Sequence, residues 1–456
     1  ARAGLPVFAT PDQAVQGFGH LVRDRRNREA ARELPPSKVL AVEPDRSLVR
    51  RCFNRARAAG RLALPQDEAL LVLDAYGIPT VPTRMAATPA DAGVAADMLG
   101  YPAVVKLRGD EAPQHRPPAS LVFDLNDAAQ VTAAARLLAA RGLRRGTAGA
   151  LLVQRYVGRA REVAIRVADD ATFGPTITFG AGGSAPNPAD RAVDLPPLNL
   201  ALAHGLIRRC PTGSMLVRPL RDRAPGNAEA VAQVLVRISQ MVIDFPEIAV
   251  LEVPSLFVDA DGVLAADAWL RLRAPDEPPL RLAIAPYPAE QVEHRQMGDE
   301  SFTIRPIRPE DAEQHGAFFS RLSPQDIRFR FFSAMRELSP EQTARLTQVD
   351  YDREMAFIAV REATGDTVGV SRLACEPGGV SGEFAVIVQP DMKGRGLATY
   401  LMRRLIAWGR AQGLVEIVGQ ILADNAPMLS FVRHLGFSLH RMVDDPEVME
   451  ARLPLA

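Results

Sequence analysis

Leu397, Leu401, Leu405 and Trp408 recur at intervals of four, four and three, which places them on one stripe of a helix, with Arg403, Arg404 and Arg410 off that stripe. Just upstream, Val386-Ile-Val388 reads as an apolar strand, and Pro390, which cannot donate a ladder hydrogen bond, ends it. Between strand and helix lies the glycine-punctuated loop Lys393-Gly394-Arg395-Gly396. Such a loop leaves unpaired N–H groups at the positive end of the helix and lets a ligand come close, so it predicts a phosphate site. A bare Gly-x-Gly fits an ordinary tight turn as well.

The same pattern can be followed along the whole chain. Leu5 to Ala9 predicts a short strand, and Thr10-Pro11-Asp12 opens a helix with proline in its first turn, where the missing N–H is no loss. The run Arg23 to Arg32 is its solvated end, and Leu34-Pro35-Pro36-Ser37 reads as a linker. Helices are expected at Gln66 to Tyr76 and Ala128 to Arg141, and strands at Gly100 to Leu107, Leu151 to Tyr156 and Val163 to Val167. Ala274 to Pro288 is a second proline-rich, acidic stretch. Beyond it, Phe302 begins a first strand and Arg308-Pro309-Glu310-Asp311 starts a helix. Phe318, Phe319, Leu322, Ile327, Phe329, Phe331 and Phe332 predict an aromatic-rich helical pair whose rings are mainly core. Strands follow at Ala356 to Val360, Val368 to Ala374 and Glu383 to Val388, the last two joined by the turn Glu376 to Gly379.

At 456 residues the chain exceeds one core and suggests about three units. Lys+Arg and Asp+Glu both number 54, so no basic nucleic-acid surface is indicated. Cys52, Cys210 and Cys375 form no Cys-x-x-Cys pair, which excludes a disulfide scaffold or a zinc knuckle and fits buried thiols in a reducing compartment. No apolar run spans a bilayer, since even Val231 to Phe245 carries Arg237, Gln240 and Asp244. A cytoplasmic protein is expected, and because residue 1 falls within what reads as domain sequence, a piece of a longer one.

Lys393-Gly394-Arg395-Gly396-Leu397-Ala398 resembles the Gln/Arg-x-x-Gly-x-Gly/Ala pyrophosphate signature of the GNAT N-acetyltransferases, with Lys in its first slot. After a further strand at Val415 to Leu422 comes Asn425, with Gly436-Phe437 eleven and twelve residues on, which resembles the second GNAT motif. The resemblance implies acetyl-CoA as cosubstrate, held by Val386, Val388, Lys393, Gly394, Arg395, Gly396, Leu397, Ala398 and Asn425.

The earlier part is similar to the ATP-grasp domain of ADP-forming acyl-CoA synthetases. The likeness rests on Tyr76-Gly-Ile-Pro79, Pro102-Ala-Val-Val-Lys106, Glu162, Phe173-Gly-Pro175, Phe179-Gly180, Gly182-Gly183 and Asp244-Phe-Pro-Glu-Ile248 followed by Glu252. Residues 1 to about 35 resemble the tail of the preceding synthetase domain. The family carries His-Lys-Ser and a Gly-Gly lid where this chain has His115-Arg116-Pro117-Pro118-Ala119-Ser120, and two prolines donate no N–H to a phosphate. Where the family has Glu-Ile-Asn-Pro, this chain has Glu252-Val253-Pro254-Ser255, one oxygen ligand fewer for magnesium. Lys106, Glu162 and Glu252 are therefore expected to form a degenerate nucleotide site, vestigial or weak, and His115 a structural remnant. No metal site is expected elsewhere.

The expected architecture is multidomain, α/β and α+β: a synthetase tail and linker at 1–36, an inactive and regulatory ATP-grasp-like domain at 37–290, and a GNAT mixed-sheet domain at 300–456. That order is similar to Pat-type protein lysine acetyltransferases, whose N-terminal CoA-binding domain is not in this sequence. The resemblance implies acetylation of lysines on metabolic enzymes such as acyl-CoA synthetases. A small-molecule amine acyltransferase and an ADP-forming synthetase subunit are the alternatives.

The chemistry demands a base, because an amine of pKa about 10.4 leaves fewer than about one molecule in a thousand neutral at pH 7. Glu383 lies on the strand entering the loop, on the face of Ala385 and Ile387. From the strand alone, a carboxylate in an apolar setting that tunes it for use and a strand-end Glu in solvent are equally consistent. Gly382-Glu383-Phe384-Ala385-Val386 matches the Pat-type pattern, which implies a general base at Glu383, often acting through water. The slot where many GNAT enzymes carry a Tyr acid is Val432, so the thiolate would take its proton from solvent. Asn425 would touch the pantetheine arm, cap the next helix, or do both.

Overall fold

The computed structural model describes residues 7–31, 39–109, 111–116, 120–143, 150–158, 161–183, 190–219 and 224–455. The chain divides into two compact units, Val39–Ile284 and Ala285–Ala456, the latter grouped with the N-terminal residues. The N-terminal helix α1 (Pro11–Ala31) forms as expected, but residues 7–9 of the strand expected before it are irregular, with Val7 and Phe8 exposed. A lone strand without a partner leaves its backbone donors to water, so apolar composition is not enough to make one. The linker at 34–37 lies outside the described residues.

The first unit runs α2 (Arg46–Ala58), β1 (Ala63–Leu64), α3 (Gln66–Ala75), β2 (Thr83–Ala86), α4 (Pro89–Leu99), β3 (Ala103–Leu107), β4 (Leu121–Leu125), α5 (Ala128–Leu143), β5 (Leu151–Arg155), β6 (Arg161–Asp170), β7 (Gly174–Ala181), β8 (Arg191–Asp194), α6 (Leu200–Arg209), α7 (Pro211–Leu216), α8 (Ala228–Asp244), β9 (Ile248–Val258) and β10 (Val263–Leu272). Two sheets result, β2-β5-β3-β4 and β1-β10-β9-β6-β7-β8. The Ala-rich α4 and α5 pack together over the smaller sheet, because short side chains let helices approach closely. Pro254 lies inside the central strand β9, and the ladders to both β6 and β10 break register beside it. A residue without an N–H is tolerated in a central strand when its neighbours bulge past it.

The second unit runs β11 (Glu293–Met297), β12 (Glu300–Pro306), α9 (Ala312–Ser320), α10 (Pro324–Phe331), α11 (Pro340–Thr347), β13 (Glu354–Arg361), β14 (Thr367–Cys375), β15 (Ser381–Val388), α12 (Leu397–Ala411), β16 (Glu416–Leu422), α13 (Ala426–His434), β17 (Ser438–Arg441) and β18 (Val448–Pro454). They build one sheet, β11-β12-β13-β14-β15-β16-β18-β17, antiparallel throughout except for the parallel pair β15–β16. Strand period two sends Phe384, Val386 and Val388 to one face, under α12, and Ala385 and Ile387 to the other, toward α9 and α10. Leu397, Leu401 and Leu405 are fully buried, each contributing about 1.5–3 kcal/mol. Most of the expected Phe stripe is core, while Phe332 ends α10 in the left-handed region and is exposed.

One feature differs from the sequence expectation. The first strand is not at Phe302 but at β11, an edge strand of sequence Glu-His-Arg-Gln-Met whose polar side chains gave no alternation and protect the edge from pairing with other chains. Arg404, which the periodicity placed only off the stripe, is held inward: its guanidinium lies 4.4 Å over the Phe357 ring and donates to the Gln291 carbonyl at 2.7 Å. Tyr287 belongs to this unit too, its hydroxyl donating to the Pro306 carbonyl at 3.2 Å and its ring under Arg308.

Candidate functional site

Strand β15 ends at Val388, a single 3-10 turn spans Pro390–Met392, and Gly394 and Gly396 follow at φ 74° and 83°. Those values suit glycine alone, and open space surrounds both α-carbons. Gly396 is the N-cap of α12 and offers no side chain to bond the first turn. Among the described residues the N–H groups of Gly394, Gly396, Leu397 and Ala398 have no backbone acceptor. These amides, with the helix dipole behind them, make a cradle suited to an anion. The flanking cations are already held: Lys393 Nζ by Asp326 Oδ1 at 2.6 Å, and Arg395 by Glu300 Oε2 at 2.5 Å. Either ion pair is exposed enough to exchange for a phosphate at small free-energy difference.

Upstream of the cradle the sheet opens. β15 and β16 pair only over Ser381–Glu383 with Glu416–Val418, and beyond Glu383 they part. Gln389 N–H donates to the Val368 carbonyl, so odd-numbered residues of β15 exchange bonds with β14. The N–H and C=O groups of Val386 and Val388 therefore face the gap, while their side chains are buried under α12. A polar, extended chain laid in this gap meets an unpaired strand edge on its way from the cradle to Glu383. The Phe384 ring packs tightly against Gly419 of β16, where a Cβ would lie 2.3 Å from it.

Glu383 stands at the apex of the gap. Its carboxylate is exposed, and Ala385 and Ile387 on its face are only half-buried, so of the two settings its strand allowed the structure shows the solvent-facing one. The reason is topological: β15 is splayed from β16 there, and the mouth of the gap stays open. Val432 is fully buried in the core of α13 and has no access to the gap. Asn425 caps α13, its Oδ1 accepting from Met428 N–H at 3.2 Å, and is itself buried.

Charges that the sequence did not single out gather on the Glu383 face. Arg372 is buried, ion-paired to Glu354, and donates to the Leu346 carbonyl. Arg330, at the end of α10, lies close enough to feel both Arg372 and Glu383. His315 is buried with its Nδ1 unpartnered, and burial first, then Arg372, push it down to about 4. The unfolded chain therefore binds more protons than the folded one between pH 4 and 6.5. The stabilisation is complete above about pH 6.5 and is lost as pH falls toward 4, on the order of 3 kcal/mol. Denaturation followed at Trp408 in a Trp269→Phe background should show that unit weaker at pH 5 than at pH 7, and His315→Gln should flatten the difference. An unaltered pH slope in His315→Gln would refute this.

Residues 301–438 match the acetyltransferase (GNAT) domain family. An acetyltransferase of Pseudomonas aeruginosa is 38% identical over 156 residues, covering 33% of this chain and 83% of that protein. The chain belongs to the GNAT acetyltransferases. Residues 55–272 match the ATP-grasp domain family, so this GNAT enzyme carries an ATP-grasp domain ahead of its N-acetyltransferase domain. Acetyltransferase Pat of Mycolicibacterium smegmatis is 27% identical over 138 residues, 30% of this chain and 41% of that one. An ADP-forming acetate–CoA ligase of Archaeoglobus fulgidus is 26% identical over 268 residues, 58% of this chain. The chain spans 38% of that ligase's length. The GNAT domain implies acetyl-CoA as acyl donor, and the amides of the cradle and the open edge of β15 are suited to its diphosphate and its amide-bearing arm.

The ATP-grasp domain brings its expected site residues into one region but has already committed them. Lys106 Nζ donates to the Ala266 carbonyl at 3.0 Å, and deep burial pushes its ammonium down despite Asp267 and Glu162 nearby. Glu252 is ion-paired to Arg166 at 2.9 Å, Asp267 to Arg116, and Glu162 accepts from Ser255 Oγ. Gly182 is needed beside it, since a Cβ there would lie 2.8 Å from the Val163 backbone. Among the described residues no three acidic, His or Cys side chains converge as a metal site. Carboxylates saturated by guanidinium groups do not fit a magnesium ion, which needs free oxygen ligands in near-octahedral array. His115 is exposed at the end of a short 3-10 turn, and Pro117 to Ala119 lie outside the described residues. Cys52 and Cys210 are buried and Cys375 half-buried, all three as free thiols. No helix among the described residues is long and apolar enough to cross a membrane.

Proposed function

We propose that this GNAT enzyme is a protein N-ε-lysine acetyltransferase that moves the acetyl group of acetyl-CoA onto lysines of metabolic enzymes such as acyl-CoA synthetases. The observation that carries the proposal is the gap between β15 and β16, with the amide cradle at one end and Glu383 at its open apex. Gly394, Gly396, Leu397 and Ala398 hold the diphosphate through backbone N–H groups, assisted by Lys393 and Arg395. Val386 and Val388 align the arm through their backbone groups, and buried Asn425 stiffens the start of α13 beside it. The lysine amine, relieved of its proton by Glu383 directly or through water, attacks the thioester carbonyl. The tetrahedral intermediate collapses to amide and thiolate, and solvent returns a proton to sulfur, a modest demand on a good leaving group. An exposed carboxylate at an open mouth suits a side chain presented by a protein surface better than a small molecule that must be enclosed.

The ATP-grasp domain acts in this reading as a sensor or docking platform without phosphoryl transfer, binding nucleotide weakly if at all, in a cytoplasmic protein with neither membrane nor nucleic acid as partner. The test is to incubate the full chain with labelled acetyl-CoA and an acyl-CoA synthetase, beside Glu383→Ala. Label on the synthetase only with Glu383 intact supports the proposal. Label on free amines alone favours a small-molecule acyltransferase, and ATP formation from ADP, phosphate and acyl-CoA would assign the chain to the synthetases instead.

A further inference from the structure

On the helix that packs over the Glu383 face, one guanidinium has no ion-pair partner among the described residues. On the sheet face that Glu383 shares, the register sets Glu354, Ala374 and Glu383 in one row and Ala356, Arg372 and Ala385 in the next. Helix α10 packs against β15 there, with Arg330 in its last turn. Arg372 is spoken for by Glu354 and the Leu346 carbonyl, and Asp311 is gripped by Arg305 at 2.6 and 2.8 Å. Among the described residues Arg330 has no carboxylate within ion-pair distance, and its guanidinium lies 5.0 Å from the centroid of the neighbouring Phe331 ring. Burial, then the repulsion of Arg372, push its guanidinium down to about 10, still a cation at neutral pH, while Glu383 pulls the other way. Glu383 does not close a salt bridge with it. Glu383 stands on β15 and Arg330 on the helix packed against that strand.

A half-buried guanidinium without an anion is unfavourable unless a ligand supplies one, and an incoming ammonium adds like charge to it. A planar fork of donors is matched bidentately by a carboxylate and by little else in a polypeptide. Resting on the reading of Glu383 as base, we propose that Arg330 is the specificity-determining residue of the acceptor site and selects protein segments with an Asp or Glu beside the reactive lysine. The acidic neighbour docks on Arg330, the lysine falls toward Glu383, and Arg330's remaining field disfavours the protonated amine that must lose its proton.

The experiment uses the full chain, acetyl-CoA and peptides with one lysine, each made as a Glu and a Gln version at the positions one and two residues to either side. At the best position the wild type should favour Glu by about tenfold in kcat/KM, mainly through KM, and less so as salt is raised. Arg330→Gln should bring the Glu/Gln ratio close to one, and Arg330→Lys should restore part of it. Acetyl-CoA affinity and circular dichroism confirm that each variant is folded. Equal turnover of Glu and Gln peptides by the wild type at every position, or an unchanged ratio in Arg330→Gln, overturns this proposal alone. Acetylation of small amines but of no peptide overturns it together with the protein-acceptor reading, whereas full activity of Glu383→Gln overturns the base assignment.

Discussion

Glu383→Gln lowers kcat/KM for a lysine acceptor by about 10²–10⁴-fold at pH 7 and leaves the affinity for acetyl-CoA within about twofold. The amide keeps the shape of the carboxylate but accepts no proton, so the attacking amine must arrive neutral by chance. Because neutral lysine increases about tenfold per pH unit below about 10.4, the variant should regain rate up to pH 9–10 more steeply than the wild type. The cradle amides belong to the loop after β15, and the Glu383 side chain is not among them. Initial rates from pH 6.5 to 9.5, with calorimetric titration of acetyl-CoA, decide it. A loss smaller than about threefold with an unchanged pH profile would remove Glu383 from the chemistry.

Gly396→Val weakens acetyl-CoA binding by roughly 10–100-fold. The cause is backbone, not crowding: at φ 83° a branched side chain is strained by about 1–3 kcal/mol, while space around the α-carbon is free. The loop relieves that strain by turning its amides away from the diphosphate, and each 1.4 kcal/mol lost is tenfold in Kd. Gly379→Ala is the control. It has φ 67° and open surroundings in the β14–β15 turn, so it should lower stability slightly without loosening acetyl-CoA. Equal effects of the two substitutions on Kd would show that the cradle is not where the cosubstrate is held.

Much of this unit could be read from periodicity. The stripe Leu397, Leu401, Leu405 and Trp408 is the buried face of α12, and Pro390 stands just past the end of β15. Both depend on local rules, a repeat and a missing donor. Glu293–Met297 could not be read that way, because an edge strand needs no apolar face, only a partner. Residues 7–9 failed in reverse, apolar at Val7 and Phe8 but with no strand partner among the described residues. The gap beyond Glu383 is a property of two strands 30 and more residues apart, and only register reveals where they separate. Arg330 was hidden among phenylalanines, in a run that reads as core; its charge acquires meaning only beside Arg372 and Glu383. The paired carboxylates of the ATP-grasp domain were likewise invisible, although the replacement at Ser255 announced that something had changed.

The Arg166–Glu252 pair limits what a single substitution in that domain can achieve. Losing Arg166 alone would strand a largely buried carboxylate, and gaining an extra oxygen ligand alone would find Glu252 still occupied. Freeing Glu252 for a metal ion therefore takes more than one substitution.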